Sequence, residues 1–248
     1  MSNKVLTVLV FISLGLGLFS TWKHFSKDAA EIAQLTMKGM KDLQAKAEEE
    51  EQKKQQELLK HKAAELNADT TSPFSGNPKS DIAVVYFFDY RCGYCRKGDP
   101  ILDELVKTDP NLKIIYKEYP IFQDAIVASA ALAGHQQGRY VEMHQALMAH
   151  SEKFTKDAVL KIAKALKFDM EKFVKDMEGD LVKAELVRNH KLADELGIKG
   201  TPMFIIGGSL TLPGSVSIDE FRSAIQKVRE ELANGEHKAP PHSEAEKD

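Results

Sequence analysis

The apolar and polar positions of the chain change period several times between its ends. Val5 to Phe19 is an almost continuous apolar run preceded by one positive charge, Lys4. Over residues 1–22 this is the layout of a secretory leader. No clear small-x-small cleavage site follows, so an uncleaved membrane anchor is the alternative. Either reading places the remainder outside the cytoplasm. A buried amphipathic helix fits less well, because the run has no polar face.

Residues 23–67 form a second segment. From Asp28 to Asn67 the chain is rich in Ala, Glu, Lys, Gln and Leu, with no proline and one glycine, Gly39, which predicts a long helix. Ala29, Ala33, Met37, Met40, Leu43 and Ala47 recur three or four residues apart. After a polar interruption Leu59, Ala63 and Leu66 resume that spacing, giving a broken apolar seam. Glu49 with Lys53 and Glu50 with Lys54 are spaced for helical ion pairs across the interruption. Such a segment is expected to pack on a second copy or to act as a solvated spacer.

Residues 68–80 (ADTTSPFSGNPKS) carry Pro, Gly, Asn and Ser, and read as a linker. The main domain is expected over 81–234. Ile82 to Phe88 (IAVVYFF) is a β-branched and aromatic run typical of a strand buried on both faces, and Leu112 to Tyr116 is a second strand. A helix containing Cys92 and Cys95 lies between them. Residues 122–197 read as a helical insertion: Val159, Ile162 and Leu166 share a face, Asp169 can cap a helix carrying Phe173, and Gly197 can end the last helix. Met203 to Ile206 and Ser209 to Leu212 flank Gly207-Gly208, which predicts a two-residue hairpin. Ser217 to Glu220 reads as a capping box opening a helix that buries Ile218, Phe221 and Ile225. The tail, 235–248, is polar, contains Pro240 and Pro241, and is expected to be disordered.

With 248 residues and 43% apolar content the chain can bury one main core. The 34 Lys and Arg nearly balance 37 Asp and Glu, so net charge offers no argument for a nucleic-acid partner. Only two cysteines occur, which excludes a multiply bridged scaffold. The chemistry must be local.

A Cys-x-x-Cys pair after a buried strand and at the start of a helix offers its first thiol the unpaired N–H groups and positive end of that helix. A lowered pKa is expected for Cys92, with Arg91, Arg96 and Lys97 adding positive charge. Cys95, one turn further in, is better shielded and suited to resolve a mixed disulfide. The bland alternatives are a zinc site and an inert pair; zinc would have to recruit two further ligands from His, Asp or Glu. No metal and no cofactor beyond a redox-active Cys92–Cys95 disulfide is expected. His135 and His144 fall in the helical block and read as surface or packing residues, so no catalytic histidine is assigned.

FFDYRCGYC, the helix through Pro100, the helical insertion and GIKGTPMFIIGG together resemble the DsbA family of bacterial thioredoxin-fold proteins, particularly its ScsC-like members, over about Ser72 to Ala233. The resemblance implies an α/β thioredoxin fold with a helical insertion, preceded here by the long N-terminal helix. It also implies that Thr201-Pro202 holds a cis-proline facing the cysteine pair and helps bind an extended substrate peptide. The letters Gly93-Tyr94, with Thr201, are similar to those of DsbC-type disulfide isomerases. One departure stands out: the buried acidic residue that such proteins often carry six positions before the first cysteine is Tyr86 here. Lys117 and Glu118 offer a charged pair nearby, or simply a solvated strand end.

The function implied is a periplasmic thiol–disulfide oxidoreductase that isomerises or forms disulfides in exported cysteine-containing proteins. A DsbD-like membrane reductase or a DsbB-like oxidase would reset it, and the N-terminal helix would assemble a homo-oligomer. A dedicated reductant of one client and a noncatalytic envelope anchoring protein are the competing readings.

Overall fold

The computed structural model describes the backbone of residues 3–67, 69, 71–122 and 125–235, with side chains described from residue 31 onward except at 64 and 65. The leader or anchor expected over 1–22 lies outside the residues with described side chains, and the tail lies outside the description beyond Gly235. Among the described residues no helix is long and apolar enough to cross a membrane.

The chain divides into two units, Met1–Lys54 and Gln55–Asp248. Helix α1 runs from Asn3 to Asn67 without the proline that would interrupt it. In the first unit its Ile32, Leu35, Met37, Met40 and Leu43 are exposed, and Lys53 pairs with Glu49 at 2.7 Å. An exposed pair of this kind contributes only a few tenths of a kcal/mol, so it supports helix without supplying a core.

In the second unit a five-stranded sheet has the order β1-β3-β2-β4-β5. Its strands are β1 (Phe74–Gly76), β2 (Ile82–Phe88), β3 (Leu112–Glu118), β4 (Met203–Ile206) and β5 (Leu210–Pro213). β2 and β3 are parallel; every other pairing is antiparallel. The continuous apolar run of β2 has its physical reason in the layers around it, since all seven residues are buried. Val84, Tyr86 and Phe88 point into a core with helices α2 (Gly93–Thr108) and α8 (Ile218–Ala233) and the inserted helices. Ala83, Val85 and Phe87 point the other way, onto Leu192 and Leu196 beside α7 (Asp180–Glu195) and onto Leu59 and Leu66 of α1. Period-two alternation therefore feeds two cores from one strand.

Between β3 and β4 lie α3 (Ile126–His135), α4 (Tyr140–Ala149), α5 (Lys156–Ala165), α6 (Met170–Met177) and α7. Thr155 caps α5 and Asp169 caps α6 with their side chains, while Ser217 and Glu220 form the capping box of α8.

Three boundaries differ from the sequence reading. The linker over 68–80 contains β1, whose Phe74 to Gly76 pair with Ile115 to Lys113; three residues are too few to show a strand period. The last turns of α1 belong to the globular unit, because Leu59 and Leu66 are 3% and 1% exposed. The domain thus begins before Asp81. The hairpin loop has three residues, since Ile206 pairs with Leu210 and Ser209 donates its N–H to Ile206 O at 3.1 Å. Gly207 and Gly208 have φ of 56° and 72°, as a left-handed loop requires.

Candidate active site

The topology explains which residues meet. β2 and β4 run antiparallel with Phe87 opposite Met203, so the chain leaving β2 and the chain entering β4 lie at the same end of the sheet. The first delivers Cys92 and the second delivers Thr201-Pro202. The Thr201-Pro202 peptide is cis, and Cys92 Sγ lies 3.3 Å from Thr201 O, to which its S–H donates.

Cys92 is the N-cap of α2 with extended backbone (φ -76°, ψ 115°), and its sulfur accepts the Cys95 N–H at 3.4 Å. A thiolate in that position would satisfy one of the unpaired amides at the helix start. The two thiols are not joined to one another. Burial works against ionising Cys92, but hydrogen bonding from the Cys95 and Thr201 side chains and from the Cys95 and Tyr94 backbone outweighs it, and the pKa is lowered. The Thr201 hydroxyl is itself buried without a hydrogen-bond partner, so its share rests on proximity and the backbone bonds carry more weight. Cys95 is fully buried, and burial pushes its thiol up to about 12. The two thiols are therefore far apart in acidity.

Of the cations expected to assist, Arg96 is turned elsewhere. Its Nε donates to Tyr90 O at 2.8 Å and its Nη2 donates to His150 O and Leu147 O, tying the start of α2 to the end of α4. Its guanidinium also lies over the Phe154 ring, 5.5 Å from the centroid. The bias at Cys92 thus comes from helix-terminal and thiol hydrogen bonds.

Gly93 would accommodate a Cβ without contact, and Tyr94 is 61% exposed, so packing dictates neither letter between the cysteines. Asp89, buried just before the pair, holds both sides of the site. It accepts N–H groups from Arg91 at 2.8 Å, Ile121 at 2.9 Å and Phe122 at 3.2 Å, and its carbonyl accepts the Cys92 N–H at 3.0 Å. Phe122, 53% exposed, is thereby fixed on a loop next to the cysteines.

Tyr86, at the position where an acid was sought, donates its hydroxyl to Cys95 O at 3.4 Å. Lys117 and Glu118 do not pair with each other. As neighbours on a strand they face opposite sides: Lys117 bonds Asp69 and, at 2.8 Å, Ser72 Oγ, whereas Glu118 Oε1 accepts from Tyr90 and Tyr140 at 3.0 and 2.7 Å. Neither is a solvated strand end. Burial opposes the charge on Asp69, but Lys117 beside it, with hydrogen bonds from Ser72 and Thr71, holds its carboxyl below the usual range.

Of the surface and packing readings of His144, burial against Phe88, Tyr116 and Tyr140 leaves the second. His144 is 1% exposed, and both ring nitrogens are engaged, Nε2 with Asp99 Oδ1 and Nδ1 with Tyr90 OH, each at 2.8 Å. A histidine in a helix with no partner nearby in sequence gives no signal of this kind. Among the described residues no cluster of three or more His, Cys, Asp or Glu is placed to hold a metal ion.

Residues 83–131 and 123–226 match the family described as DSBA-like thioredoxin domain. The chain belongs to this family. Among solved structures the DSBA-like fold is shared with a thioredoxin-like oxidoreductase from Silicibacter pomeroyi DSS-3, 38% identical, with 67% of this chain and 97% of that one covered at a TM-score of 0.64. A linker-deletion mutant of Proteus mirabilis ScsC is 26% identical, with 82% and 94% covered at a TM-score of 0.69. A probable disulfide bond formation protein D of Bacillus cereus is 28% identical over 183 residues, which is 68% of this chain and 83% of that protein. The DSBA-like region also resembles part of longer proteins: the chain spans 21% and 24% of the Na(+)/H(+) antiporter NhaA proteins of Salinispora tropica and Salinispora arenicola, at 26% identity.

Proposed function

We propose that this DSBA-like protein is a periplasmic thiol–disulfide oxidoreductase of exported proteins. The observation that carries the reading is the unequal acidity of two thiols one helical turn apart: Cys92 lowered at the helix cap and Cys95 pushed up to about 12 by burial. Cys92 is the nucleophile. As thiolate it attacks a client disulfide, a Cys92–client bond forms, and the other client sulfur leaves. Cys95 then attacks Cys92 and releases the client thiol, leaving the Cys92–Cys95 disulfide. In the opposite direction that disulfide oxidises a client dithiol. The same pair therefore serves isomerisation and disulfide formation, and no cofactor other than the pair is required.

Gly93, Tyr94 and Thr201 lean the reading toward isomerisation, because they are similar to the letters of DsbC-type enzymes. Thr201 and Pro202 would receive the extended client beside Cys92. A DsbD-like reductase would keep an isomerase reduced, and a DsbB-like oxidase would recharge a disulfide donor. The exposed Ile32, Leu35, Met40 and Leu43 of α1 support assembly with further copies of the chain, which would surround a client with several sites.

Trapping free thiols in growing cells with a mass-adding alkylating reagent tests the direction. A reduced pair supports isomerisation or reduction; an oxidised pair makes the protein a disulfide donor. Retention of full biological function by Cys92→Ser would remove the enzymatic reading altogether.

A further inference from the structure

Beside Cys92 the surface holds a hollow that thiol exchange, as written above, does not use. It is a cavity of about 230 Å³ lined by Tyr90, Arg91, Arg96, Glu152, Lys153 and Phe154. Three stretches of chain build it: the two residues that precede Cys92, the first turn of α2, and the loop between α4 and α5. Arg96 donates its N–H to Cys92 O at 3.1 Å, so the hollow shares a wall with the nucleophile. Thr201 and Pro202 do not line it. An occupant is therefore held by groups other than the cis-proline turn.

The volume falls below the roughly 300–1,000 Å³ of sites for whole small molecules, and suits a single side chain. Tyr90 and Phe154 are buried and supply an aromatic floor, while Arg91, Glu152 and Lys153 are exposed and supply a charged rim. The charges do not cancel: three lining residues are cations and one, Glu152, is a carboxylate. Arg91 is already engaged, which leaves Arg96 and Lys153 to a ligand. Arg96 directs Nε and Nη2 to the Tyr90, Leu147 and His150 carbonyls and lies over the Phe154 ring, and none of these partners carries a negative charge. Among the described residues its Nη1 has no acceptor and Lys153 has no ion-pair partner. A carboxylate entering here meets both cations above a floor that keeps water from one side, which strengthens the attraction over that on open surface. A lysine or arginine meets three like charges.

We propose that this hollow is a specificity site for an acidic side chain of the client, an aspartate or glutamate close in sequence to the cysteine under attack. This rests on the exchange reaction proposed above and states which clients it favours. In an extended client each residue advances about 3.3 Å, so the two residues on either side of its cysteine stay within about 7 Å of it along the chain. The acidic residue belongs at one of those four positions. Selection acts on capture of the client, before any bond to sulfur changes.

The test mixes the reduced full chain with peptide disulfide homodimers that differ only in bearing Glu, Gln or Lys at one of the four positions. Released peptide thiol is measured after acid quenching, and each rate is divided by that with dithiothreitol to remove the intrinsic effect of peptide charge. At one position or more Glu should exceed Gln by about three- to fivefold, the range of an exposed ion pair, with Lys below Gln and the gap closing at about 0.5 M salt. Lys153→Glu should abolish the preference and Lys153→Arg should keep it. Lys107→Glu, an equal change of net charge in the last turn of α2, should also keep it. Equal rates for all peptides, a preference for Lys, survival of the Glu preference in Lys153→Glu, or its equal loss in Lys107→Glu overturns the proposal. Should no peptide react, the exchange reading fails on its own, and binding judges the hollow: with serine in place of the peptide cysteine, the Glu peptide must move the Arg96 Nε resonance more than the Lys peptide, and equal shifts overturn it.

Discussion

Cys92 Sγ accepts the backbone N–H of Cys95 at 3.4 Å, so the residue proposed to attack Cys92 also holds its charge beforehand. This single contact joins the helix cap to the acidity of the site. The two thiols should therefore titrate separately: Cys92 reacts with iodoacetamide with a midpoint below the roughly 8.5 of a free cysteine, and Cys95 stays inert until strongly alkaline pH. The sign follows from the shift. As pH falls through the lowered Cys92 value the thiolate is lost and reactivity goes with it. Mass spectrometry after timed alkylation reads both sites, and equal reactivity at neutral pH would contradict the assignment.

Arg96 gives a second prediction. Because its guanidinium bonds Tyr90, Leu147 and His150 carbonyls, Arg96→Ala should cost stability, about 1.5–3 kcal/mol on urea unfolding, while leaving the Cys92 alkylation midpoint nearly unchanged. A large rise in that midpoint would restore Arg96 to the electrostatics of the thiol.

The end of α1 should behave as core. Leu66→Ala, at a site 1% exposed beside Val85 and Phe87, is expected to destabilise by about 2–5 kcal/mol, whereas Leu43→Ala at 70% exposure should leave the globular unit unaffected. Calorimetry of both variants checks it. Loss of assembly in Leu43→Ala by sedimentation would locate the role of the exposed stripe.

Glu118 supplies a pH prediction. Burial raises its pKa well above the usual carboxylate range, so the folded state holds its proton where the unfolded chain releases it. Its contribution to stability is fully present below the unfolded value near 4.5 and is lost as pH rises towards the folded value. Glu118→Gln, which keeps an acceptor for Tyr90 and Tyr140, should remove this decline, so its advantage over the wild type grows from acid to neutral pH in denaturant midpoints.

Much of the fold was legible from local pattern. The unbroken run Ile82 to Phe88 announced a strand covered on both faces, and Asp169 and Ser217 announced helix starts, because caps and periods are short-range signals. β1 was hidden, since Phe74 to Gly76 is a strand only by pairing with β3. The hairpin was displaced by one residue because two adjacent glycines do not say how many residues share the turn. At the site, the cysteine pair was visible as a motif, and Thr201-Pro202 only through the family resemblance, since a lone Thr-Pro reads equally as a turn. The partners of His144 were not: Asp99 lies on α2 and Tyr90 follows β2, and only the tertiary fold brings them to α4. The direction of Arg96 was equally invisible, as sequence gives proximity along the chain but not where a long side chain turns.

The sheet itself has blunt margins. One outer strand, β1, is three residues long, and the other, β5, ends at Pro213, which lacks an N–H to offer. A protein whose proposed clients arrive unfolded is surrounded by chains seeking strands to join. By presenting short outer strands, this one denies them a template along its flanks, and Thr201, beside Cys92, is where the proposed client would be held next to sulfur.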